Sequence, residues 1–390
     1  MIPHILGIVT TFAALGALAS VAYYALCMWS ALAFLRQREA GSQEHASESL
    51  PPVSILKPLK GTDPQMYESF RSHCMQDYPQ YEIIFGVSEA DDPAIPLVER
   101  LKAEFPERAI RLVFCGKSLG ANTKVSNLAQ ILPETRYEHL IVNDSDIRVE
   151  PDYLRSVVAP LASPKIGLVT CLYRGVAART FASRLESLSI STDFCAGVLV
   201  ARQIEGGVRF GLGSTLAFRR RELAAVGGFE GIADYLADDY EIGRRIRELG
   251  REVKLSSTVV ETFLPAYSLR QAFQHQLRWA RTIRASRRWG YAGLVVTFGI
   301  PWALLAVICS WGSAWVWLLL GVVVVMRAGA SLVVGQKALG DRQVAHWLWL
   351  IPVRDFLGLS VWLAGLAGRR IVWRGDWFEL RKGKLKRAGE

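Results

Sequence analysis

Two carboxylates stand one residue apart, directly after a short apolar run near the middle of the chain. Asp144 and Asp146 follow residues 140–142, which read Leu-Ile-Val. A carboxylate pair at the end of a strand can bind Mg²⁺ or Mn²⁺, and such a cation shares its remaining ligand positions readily with the oxygens of a nucleotide diphosphate. On its own the pattern is common, and an acid before a helix is often only an N-cap.

A second acidic pair and a basic–aromatic dipeptide make the pattern more specific. Asp238 and Asp239 lie in the first turn of a predicted helix, and Arg278 with Trp279 lies within a basic amphipathic stretch. Carboxylates in the first turn favour the positive end of a helix, so a purely structural interpretation of Asp239 stays open. The set of motifs, all between apolar segments, indicates a nucleotide-diphosphate site far more strongly than any one of them.

An alternation of strand and helix patterns between residues 50 and 288 predicts the fold that positions these side chains. We expect strands at 53–56, 81–87, 110–114, 140–142 and 166–172, and helices at 64–76, 96–105, 122–132 and 234–249. Such an alternation indicates βαβ units and a mostly parallel sheet, which binds ligands at the carboxyl ends of its strands. Asp91 and Asp92 follow one predicted strand and Asp144 another. Glycines 206, 207, 211 and 213 predict a flexible loop.

The N-terminal part of the chain is apolar enough to enter a membrane. The protein is 51% hydrophobic with a mean hydropathy of +0.20, and residues 5–35 carry no formal charge. This run exceeds the roughly 20 helical residues that cross a bilayer. It is also too long for the apolar part of a signal peptide, and no Lys or Arg precedes it. We therefore predict a transmembrane anchor over residues 1–36.

Two further apolar stretches lie towards the C-terminus. Residues 291–326 are uncharged, and one helix of that length would measure about 54 Å against a hydrocarbon core of about 30 Å. We therefore expect a break near 310–313. The stretch 344–366 carries Arg354 and Asp355 at its middle. Charges in lipid are costly unless they are paired or face protein or water, so a full span, a re-entrant hairpin and an interfacial helix stay open for it.

Basic residues beside the apolar runs predict the orientation. Six arginines and no acid lie between residues 270 and 288, and residues 369–390 contain eight basic residues against three acidic ones. Basic flanks face the cytoplasm, so both flanks are expected on the same side of the membrane. This requires an even number of crossings, which favours a re-entrant or interfacial position for the stretch 344–366. The expected domains are the anchor, a cytoplasmic domain at 50–288, membrane segments at 289–368 and a basic cytoplasmic tail at 369–390.

The same flanks explain the net charge of +10 and the pI of about 9.4. Anionic headgroups attract basic residues with about 1 kcal/mol each near the surface. No nucleic-acid-binding motif accompanies the charge, so we expect a lipid bilayer as a partner and no nucleic acid. Six scattered cysteines without Cys-x-x-Cys spacing indicate reduced thiols rather than a zinc site or a disulfide framework.

Several motifs occur in an order that resembles a known family over nearly the whole chain. They are Ser54-Ile-Leu-Lys-Pro-Leu-Lys-Gly61, Asp91-Asp-Pro-Ala-Ile95, Asn122-Thr-Lys124 with Asn127, Asn143-Asp-Ser-Asp-Ile147, Ala237-Asp-Asp-Tyr240 and Gln274-His-Gln-Leu-Arg-Trp279. The chain is similar to the ceramide glucosyltransferase family, the inverting glycosyltransferases of family 21, and in particular to a bacterial branch that includes hopanoid-biosynthesis enzymes. The resemblance implies an α/β, Rossmann-like GT-A nucleotide-sugar domain with N- and C-terminal transmembrane helices.

The resemblance also implies roles for the matching residues. Asp92 matches the first aspartate of the family, which contacts the uridine, and Asp144 matches the second, at the diphosphate and the metal. Asp239 matches the third, the general base on the acceptor hydroxyl. Arg278 and Trp279 match the end of the family motif Gln/Arg-x-x-Arg-Trp, near the diphosphate and the acceptor.

The chain departs from that motif at its first position, where it has His275, with Gln274 one step earlier. For His275, a polar contact inside the site and a position facing the headgroups both stay open. We expect Asp146 to share the metal with Asp144, and Asp238 is a further candidate beside Asp239.

Three lysines are candidates for contacts with phosphate or with the sheet edge. They are Lys57, Lys60 and Lys124, of which we assign Lys124 to the nucleotide sugar. For each of them the alternative interpretation is that the side chain is solvated at the protein surface.

Inverting transfer from UDP to an alcohol needs a neutralised leaving diphosphate, a base for the attacking hydroxyl and exclusion of water. The sequence therefore predicts a UDP-sugar-dependent hexosyltransferase with Mg²⁺ or Mn²⁺, multi-pass in a bacterial inner membrane. Its donor would be UDP-glucose or UDP-N-acetylglucosamine, and its acceptor a membrane lipid, ceramide or a hopanoid.

Three alternatives stay open. A processive or polyprenyl-phosphate glycosyltransferase would share the same domain, although the few membrane segments favour a single addition. The others are a phosphohydrolase with Asp144 as nucleophile and a non-catalytic membrane scaffold.

Overall fold

The computed structural model describes residues 2–41, 50–373 and 376–387. The chain divides into two compact units. The helical unit comprises residues 1–36, 177–200 and 266–372, and the sheet unit comprises residues 37–176, 201–265 and 373–390. The structure thus groups 177–200 and 266–288, which lie inside the domain predicted at 50–288, with the apolar helices.

The strands of the described residues are short and mostly apolar. They are β1 Val53–Leu59, β2 Tyr81–Val87, β3 Ala109–Phe114, β4 His139–Val142, β5 Ile147–Arg148, β6 Ile166–Val176, β7 Leu216–Arg219, β8 Glu252–Phe263, β9 Arg370–Trp373, β10 Asp376–Arg381 and β11 Lys384–Arg387.

The α-helices range from single turns to a 40-residue N-terminal helix. They are α1 Ile2–Gly41, α2 Met66–Cys74, α3 Ile95–Glu104, α4 Thr123–Ile131, α5 Tyr153–Val158, α6 Phe181–Ser189, α7 Cys195–Ile204, α8 Arg220–Ala225, α9 Asp238–Glu248, α10 Leu269–Ser286, α11 Arg288–Gly293, α12 Gly299–Cys309, α13 Ala314–Ser331, α14 Gln343–His346 and α15 Ile351–Gly365. Two π-helical turns, Ile190–Phe194 and Leu332–Ala338, follow α6 and α13.

The sheet unit is built on one sheet with the strand order β3-β2-β1-β4-β7-β6-β8-β5. Strand β1 runs parallel to β2 and β4, and β2 runs parallel to β3. Strand β7 runs antiparallel to β4 and β6. Leu56 of β1 lies opposite Val142 of β4, so both strands end near the same sheet edge. The predicted α/β fold with a mostly parallel sheet is confirmed.

The central strands are mostly apolar because both of their faces are covered. All seven residues of β1 and all seven of β2 are buried, which is typical of parallel strands. Phe70 of α2, Val98 of α3 and Leu154 of α5 pack into one core with Phe85 of β2. Burial of these side chains fixes the helices on the sheet and leaves the strand ends free to carry polar residues.

Among the residues that the structure describes, three helices are long and apolar enough to cross a membrane, at residues 3–39, 314–338 and 348–365. A fourth candidate, 288–309, consists of two helices bent by 55° at residue 298, as in a broken span or a re-entrant loop. The break predicted near 310–313 is confirmed, since α12 ends at Cys309 and α13 begins at Ala314.

The charged residues in the last apolar stretch are paired. Asp355 contacts Arg327 of α13 at 2.8 Å, and Arg354 contacts Asp193 at 3.1 Å. Arg327 also contacts Asp193 at 2.6 Å. Arg327 and Asp355 are 2% and 3% exposed, and buried charges are tolerated only when they are paired. This network ties α13 and α15 to the π-helical turn that carries Asp193.

The segment predicted as a basic tail contains an antiparallel hairpin of β10 and β11. In the sheet unit, the Leu236 N–H donates to the Gly383 carbonyl at 3.1 Å, and the Leu385 N–H donates to the Asp234 carbonyl at 2.7 Å. Residues 234–236 are therefore engaged by neighbouring backbone, and the helix predicted at 234–249 begins only at Asp238.

Candidate active site

The turn after β4 brings Asp144 to the sheet edge. Asn143 is fully buried and donates from Nδ2 to the Ser214 carbonyl at 2.7 Å and to the Tyr153 hydroxyl oxygen at 2.8 Å. The Asp144 N–H donates to the Gly213 carbonyl at 3.3 Å. These bonds attach the turn to the segment before β7, while the Asp144 side chain stays 41% exposed. The carboxylate is thus held by its backbone and is available to a ligand.

Gly213 lies between two of the predicted site carboxylates. A Cβ added to Gly213 would stand 2.8 Å from Asp144 Oδ2 and 3.4 Å from Asp239 Oδ2. The Gly213 N–H also donates to Asp239 Oδ2 at 2.7 Å. Real Cβ atoms essentially never come within 3.0 Å of another heavy atom, so only glycine admits Asp144 this closely. The glycine at this position therefore has a packing role, because it lies between the two acids, and the expectation of a flexible loop stays a prediction.

Helix α4 delivers a lysine to the same cluster. Asn122 caps α4, and its Nδ2 donates to the Tyr235 carbonyl at 2.7 Å. Lys124 Nζ lies 2.8 Å from Asp144 Oδ1 and 3.0 Å from Asp238 Oδ2. Burial alone would lower the pKa of Lys124, but the charges of Asp144 and Asp238 outweigh it and raise the pKa. Lys124 is therefore a fixed cation that joins the two acidic motifs, and the surface alternative is wrong for it.

Asp239 lies at the start of α9, and each of its carboxylate oxygens accepts a backbone hydrogen bond. Oδ2 accepts from Gly213, and Oδ1 accepts from the Tyr240 N–H at 2.7 Å. Burial and the charge of Asp238 raise the pKa of Asp239 to about 6, although Lys124 acts in the opposite direction. A carboxylate with a pKa slightly below neutral is ionised and is well matched to general-base chemistry.

Asp146, the second carboxylate of the turn after β4, forms a hydrogen bond with strand β8. The Thr262 hydroxyl of β8 donates to Asp146 Oδ2 at 2.5 Å. Burial and then the charge of Asp144 raise the pKa of Asp146 to about 6. The two carboxylates of the turn are thus close enough to repel each other, and a bound cation would relieve that repulsion.

The donor set of this turn fits a hard divalent cation. Asp144 and Asp146 offer carboxylate oxygens, the ligands that Mg²⁺ and Mn²⁺ prefer. In the part of the chain that the structure describes, no three His, Cys, Asp or Glu side chains converge on one point. The protein would therefore supply these two carboxylates, and substrate phosphates and water would complete the shell, as is usual for Mg²⁺ at phosphate sites.

Lys57 supports the turn from within the sheet. Its side chain is fully buried, and Nζ donates to the Asp144 backbone carbonyl at 3.2 Å. Burial lowers the pKa of Lys57 to about 7, against the charges of Asp144 and Asp146, which act in the opposite direction. The alternative of a solvated surface lysine is therefore wrong for Lys57, whose contact is with the backbone that carries the acids.

Asp92 organises the loops after β1 and β2. It is 4% exposed; its Oδ2 accepts the Gly61 N–H at 2.9 Å, and its Oδ1 accepts the Ala94 N–H at 2.9 Å. Among the described residues, no hydrogen bond or ion pair joins the Asp92 carboxylate to the cluster formed by Lys124 and the acids around Gly213. The assignment of Asp92 to the uridine stays a prediction.

The remaining predicted site residues lie on α10, which belongs to the helical unit. Ser268 caps the N-terminus of this helix. The Trp279 ring lies 5.6 Å from that of Phe194 and 5.3 Å from that of His275, between ring centroids. Arg278 is half-buried, and Gln274 is exposed. The structure therefore brings Asp144, Asp238, Asp239 and Lys124 together within the sheet unit, whereas Gln274, His275, Arg278 and Trp279 belong to the helical unit.

The parallel-rich sheet, whose strand ends carry these acids, has a GT-A fold. The structure is similar to that of a mannosyltransferase from Pyrobaculum calidifontis in complex with GDP-Man and Mn²⁺, with a TM-score of 0.50 and 18% identity, over 90% of this chain and 97% of that one. At this identity the likeness shows the fold. The family model of glycosyl transferase family 21 matches residues 12–386, and the chain belongs to that family.

Two curated relatives come from Caenorhabditis elegans. Ceramide glucosyltransferase 3 is 27% identical over 234 residues, which cover 60% of this chain and 50% of that protein. Ceramide glucosyltransferase 1 is 23% identical over 346 residues, which cover 86% of this chain and 73% of that protein. The chain thus spans half the length of one relative and about three quarters of the other. The family resemblance seen in the motifs is confirmed.

Proposed function

We propose that the protein transfers a hexose from a UDP-sugar to a hydroxyl group of a membrane lipid, with inversion. The observation that carries this proposal is the approach of Asp144 and Asp239 to Gly213, with Lys124 between Asp144 and Asp238. We assign the motif of Asp144 to the leaving diphosphate and the motif of Asp239 to the attacking hydroxyl. The names of the relatives support glucose as the sugar and ceramide as the lipid.

On the donor side, Asp144 and Asp146 would hold a divalent cation. When bound, this cation would neutralise the charge that develops on the leaving diphosphate. The Mn²⁺ in the archaeal mannosyltransferase complex supports an ion of this kind. Lys124 forms an ion pair with Asp144 and so fixes the orientation of its carboxylate. We assign Asp92 to the uridine, and Arg278 and Trp279 to the diphosphate and the acceptor, as the family motifs imply.

On the acceptor side, Asp239 is the proposed general base. Its carboxylate takes the hydroxyl proton as the lipid oxygen attacks the anomeric carbon, while the bond from that carbon to the diphosphate oxygen breaks on the opposite face. An α-linked donor therefore gives a β-glycoside. Asp238, which is 5% exposed, raises the pKa of Asp239 and so brings this base closer to neutral pH.

The helical unit supports a lipid as the acceptor. Its candidate spans would place the protein in the membrane, and we propose a bacterial inner membrane with the catalytic unit on the cytoplasmic side. Helix α10 is amphipathic and basic, as are helices that lie at headgroup level. A lipid hydroxyl would be presented at that level.

The test is a matrix of donors and acceptors with the purified full-length protein in lipid nanodiscs. Labelled UDP-glucose and UDP-N-acetylglucosamine are each incubated with ceramide and with a hopanoid polyol, and the lipid products are analysed by mass spectrometry. We expect one β-linked hexose per lipid, with glucose on ceramide as the leading product. Sugar chains on one lipid, transfer to polyprenyl phosphate alone, or no lipid product would contradict the proposal.

A further inference from the structure

A buried carboxylate in the helical unit is held by a histidine and an amide side chain. The Glu186 side chain is 1% exposed. Its described partners are His275, with Nδ1 3.2 Å from Oε1, and Gln276, whose Nε2 donates to Oε2 at 2.6 Å. Burial alone would raise the pKa of Glu186, but the hydrogen bonds from His275 and Gln276 lower it. A buried anion that is held mainly by an imidazole and an amide is costly.

Glu186 fixes the orientation of the His275 ring. The ring stacks on Tyr267 with a centroid distance of 5.5 Å and an interplanar angle of 27°, and it lies 5.3 Å from the ring of Trp279. The carboxylate therefore selects Nδ1 as the protonated nitrogen, and the two aromatic rings restrict rotation. A histidine that bonds a carboxylate through one nitrogen has the other nitrogen set for a ligand.

The second nitrogen of His275 is open to a ligand. Within the described residues, Nε2 of His275 has no hydrogen-bond partner, and the side chain is 24% exposed. Trp279 and Phe194 form an aromatic pair beside it. A hydrogen-bonding nitrogen next to aromatic rings fits an amphiphile, whose hydroxyl or amide meets the nitrogen while its hydrocarbon meets the rings.

We propose that Glu186 is a positioning residue, which orients His275 so that Nε2 binds the polar head of the lipid acceptor. The proposal rests on the proposed function and adds the residues that recognise the lipid. It also gives a reason for histidine at a position where the family motif has Gln or Arg. Neither side chain is assigned a role towards the nucleotide sugar.

A double-mutant cycle tests whether Glu186 acts through His275. Glu186→Gln, His275→Ala and the double variant are compared for the KM of the lipid acceptor and the KM of the UDP-sugar. We expect each single variant to raise the acceptor KM about tenfold, as for the loss of a hydrogen bond with a charged partner, and to leave the donor KM within about twofold. We also expect Glu186→Gln to add nothing in the His275→Ala background. Effects that multiply, or that fall on the donor KM, would overturn the proposal.

Gln276→Leu is the matched control for a structural role. It removes the other hydrogen bond of Glu186 but leaves His275 in place, so we expect a lower melting temperature and an acceptor KM close to that of the wild type. An acceptor KM raised as much as in Glu186→Gln would mean that the carboxylate only supports the packing of α6 and α10.

Nitrogen NMR of the histidine-labelled protein in nanodiscs provides a readout without turnover. The His275 signals are assigned by their loss in His275→Ala. We expect protonated Nδ1 in the wild type, a changed tautomer balance in Glu186→Gln, and a shift of Nε2 when lipid acceptor is added. An unprotonated Nδ1, or signals that do not respond to Glu186→Gln or to the lipid, would refute the positioning role. If instead the wild type glycosylates no lipid while the Glu186–His275 signals behave as expected, the proposed function fails and the pairing stands.

Discussion

The Oδ2 atoms of Asp144 and Asp239 approach the same side of Gly213, within 2.8 Å and 3.4 Å of the position that a Cβ would occupy there. Asp144 follows β4, and Asp239 lies in the first turn of α9, so two distant parts of the sequence meet at a residue with no side chain. The carboxylate proposed for the donor side and the one proposed for the acceptor side therefore both contact Gly213, so a change at this residue should affect both.

Gly213→Ala should separate the two carboxylates. The added methyl group would overlap Asp144 Oδ2, and a displacement of about 1 Å in an active site can reduce the rate about 100-fold. We expect a loss of that order in kcat for lipid glycosylation, with a cooperative thermal transition retained. Gly293→Ala is the control, since its methyl group meets nothing within 4 Å. Full activity of Gly213→Ala would show that the close approach is unimportant.

Replacing Lys124 should change the pH dependence of the reaction. The base must be ionised, so activity falls as the pH drops through the pKa of Asp239, which is about 6. Lys124 lowers that pKa, and Lys124→Met should therefore move the acid limb of log kcat/KM to higher pH. Lys124→Arg, which keeps the charge, should leave the limb near its wild-type position. An acid limb that is the same in all three proteins would argue against Asp239 as the titrating base.

The sequence predicted the strands that carry the site well, but it did not predict which side chains contact each other there. The strand–helix alternation placed β1, β2 and β4 correctly, because buried parallel strands are mostly apolar. The acids were found because they follow these strands in recognisable motifs. The sheet register, which brings the ends of β1 and β4 together, was not predicted, because strand pairing joins distant segments of the chain.

Other features depend on pairings between distant segments and leave no local pattern. Gly213 was one of several loop glycines, and only its neighbours Asp144 and Asp239 distinguish it. Glu186 lies in an amphipathic stretch, and its bond to His275 joins residues 89 positions apart. Lys57 looked like a surface lysine, although burial of every residue of β1 encloses it.

Removing divalent cations should stop the reaction. Because Asp144 and Asp146 would supply only two ligands, the cation should exchange, and chelation followed by dialysis should remove most of the turnover, since the charge on the leaving diphosphate is then not neutralised. Mn²⁺ or Mg²⁺ should restore it. Asp146→Asn should need more metal for half-maximal activity, and Thr262→Val, which removes the hydroxyl that orients Asp146, should raise the requirement by a smaller factor, because it leaves both carboxylates in place. Undiminished turnover after chelation would contradict the assignment of these carboxylates.

Disturbing the C-terminal hairpin should weaken the donor site. Gly383 has φ +81°, and a β-branched residue in this region costs about 1–2 kcal/mol. Gly383→Val should lower the melting temperature and raise the donor KM, because the hairpin holds residues 234–236, which in turn bond Asn122 at the start of α4. Lys386→Ala, an exposed position of the same hairpin, should change neither. A donor KM that stays constant in Gly383→Val would separate the hairpin from the site.

The most direct test of Asp239 as the general base is the turnover of the Asp239→Asn variant. Asparagine keeps the size of the side chain and an oxygen for the Gly213 N–H, but it cannot take a proton. We expect lipid glycosylation to fall about 100- to 10,000-fold, while the Kd for the UDP-sugar, measured by calorimetry, stays within about twofold of the wild type. An Asp239→Asn protein that glycosylates lipid at the wild-type rate would contradict the account.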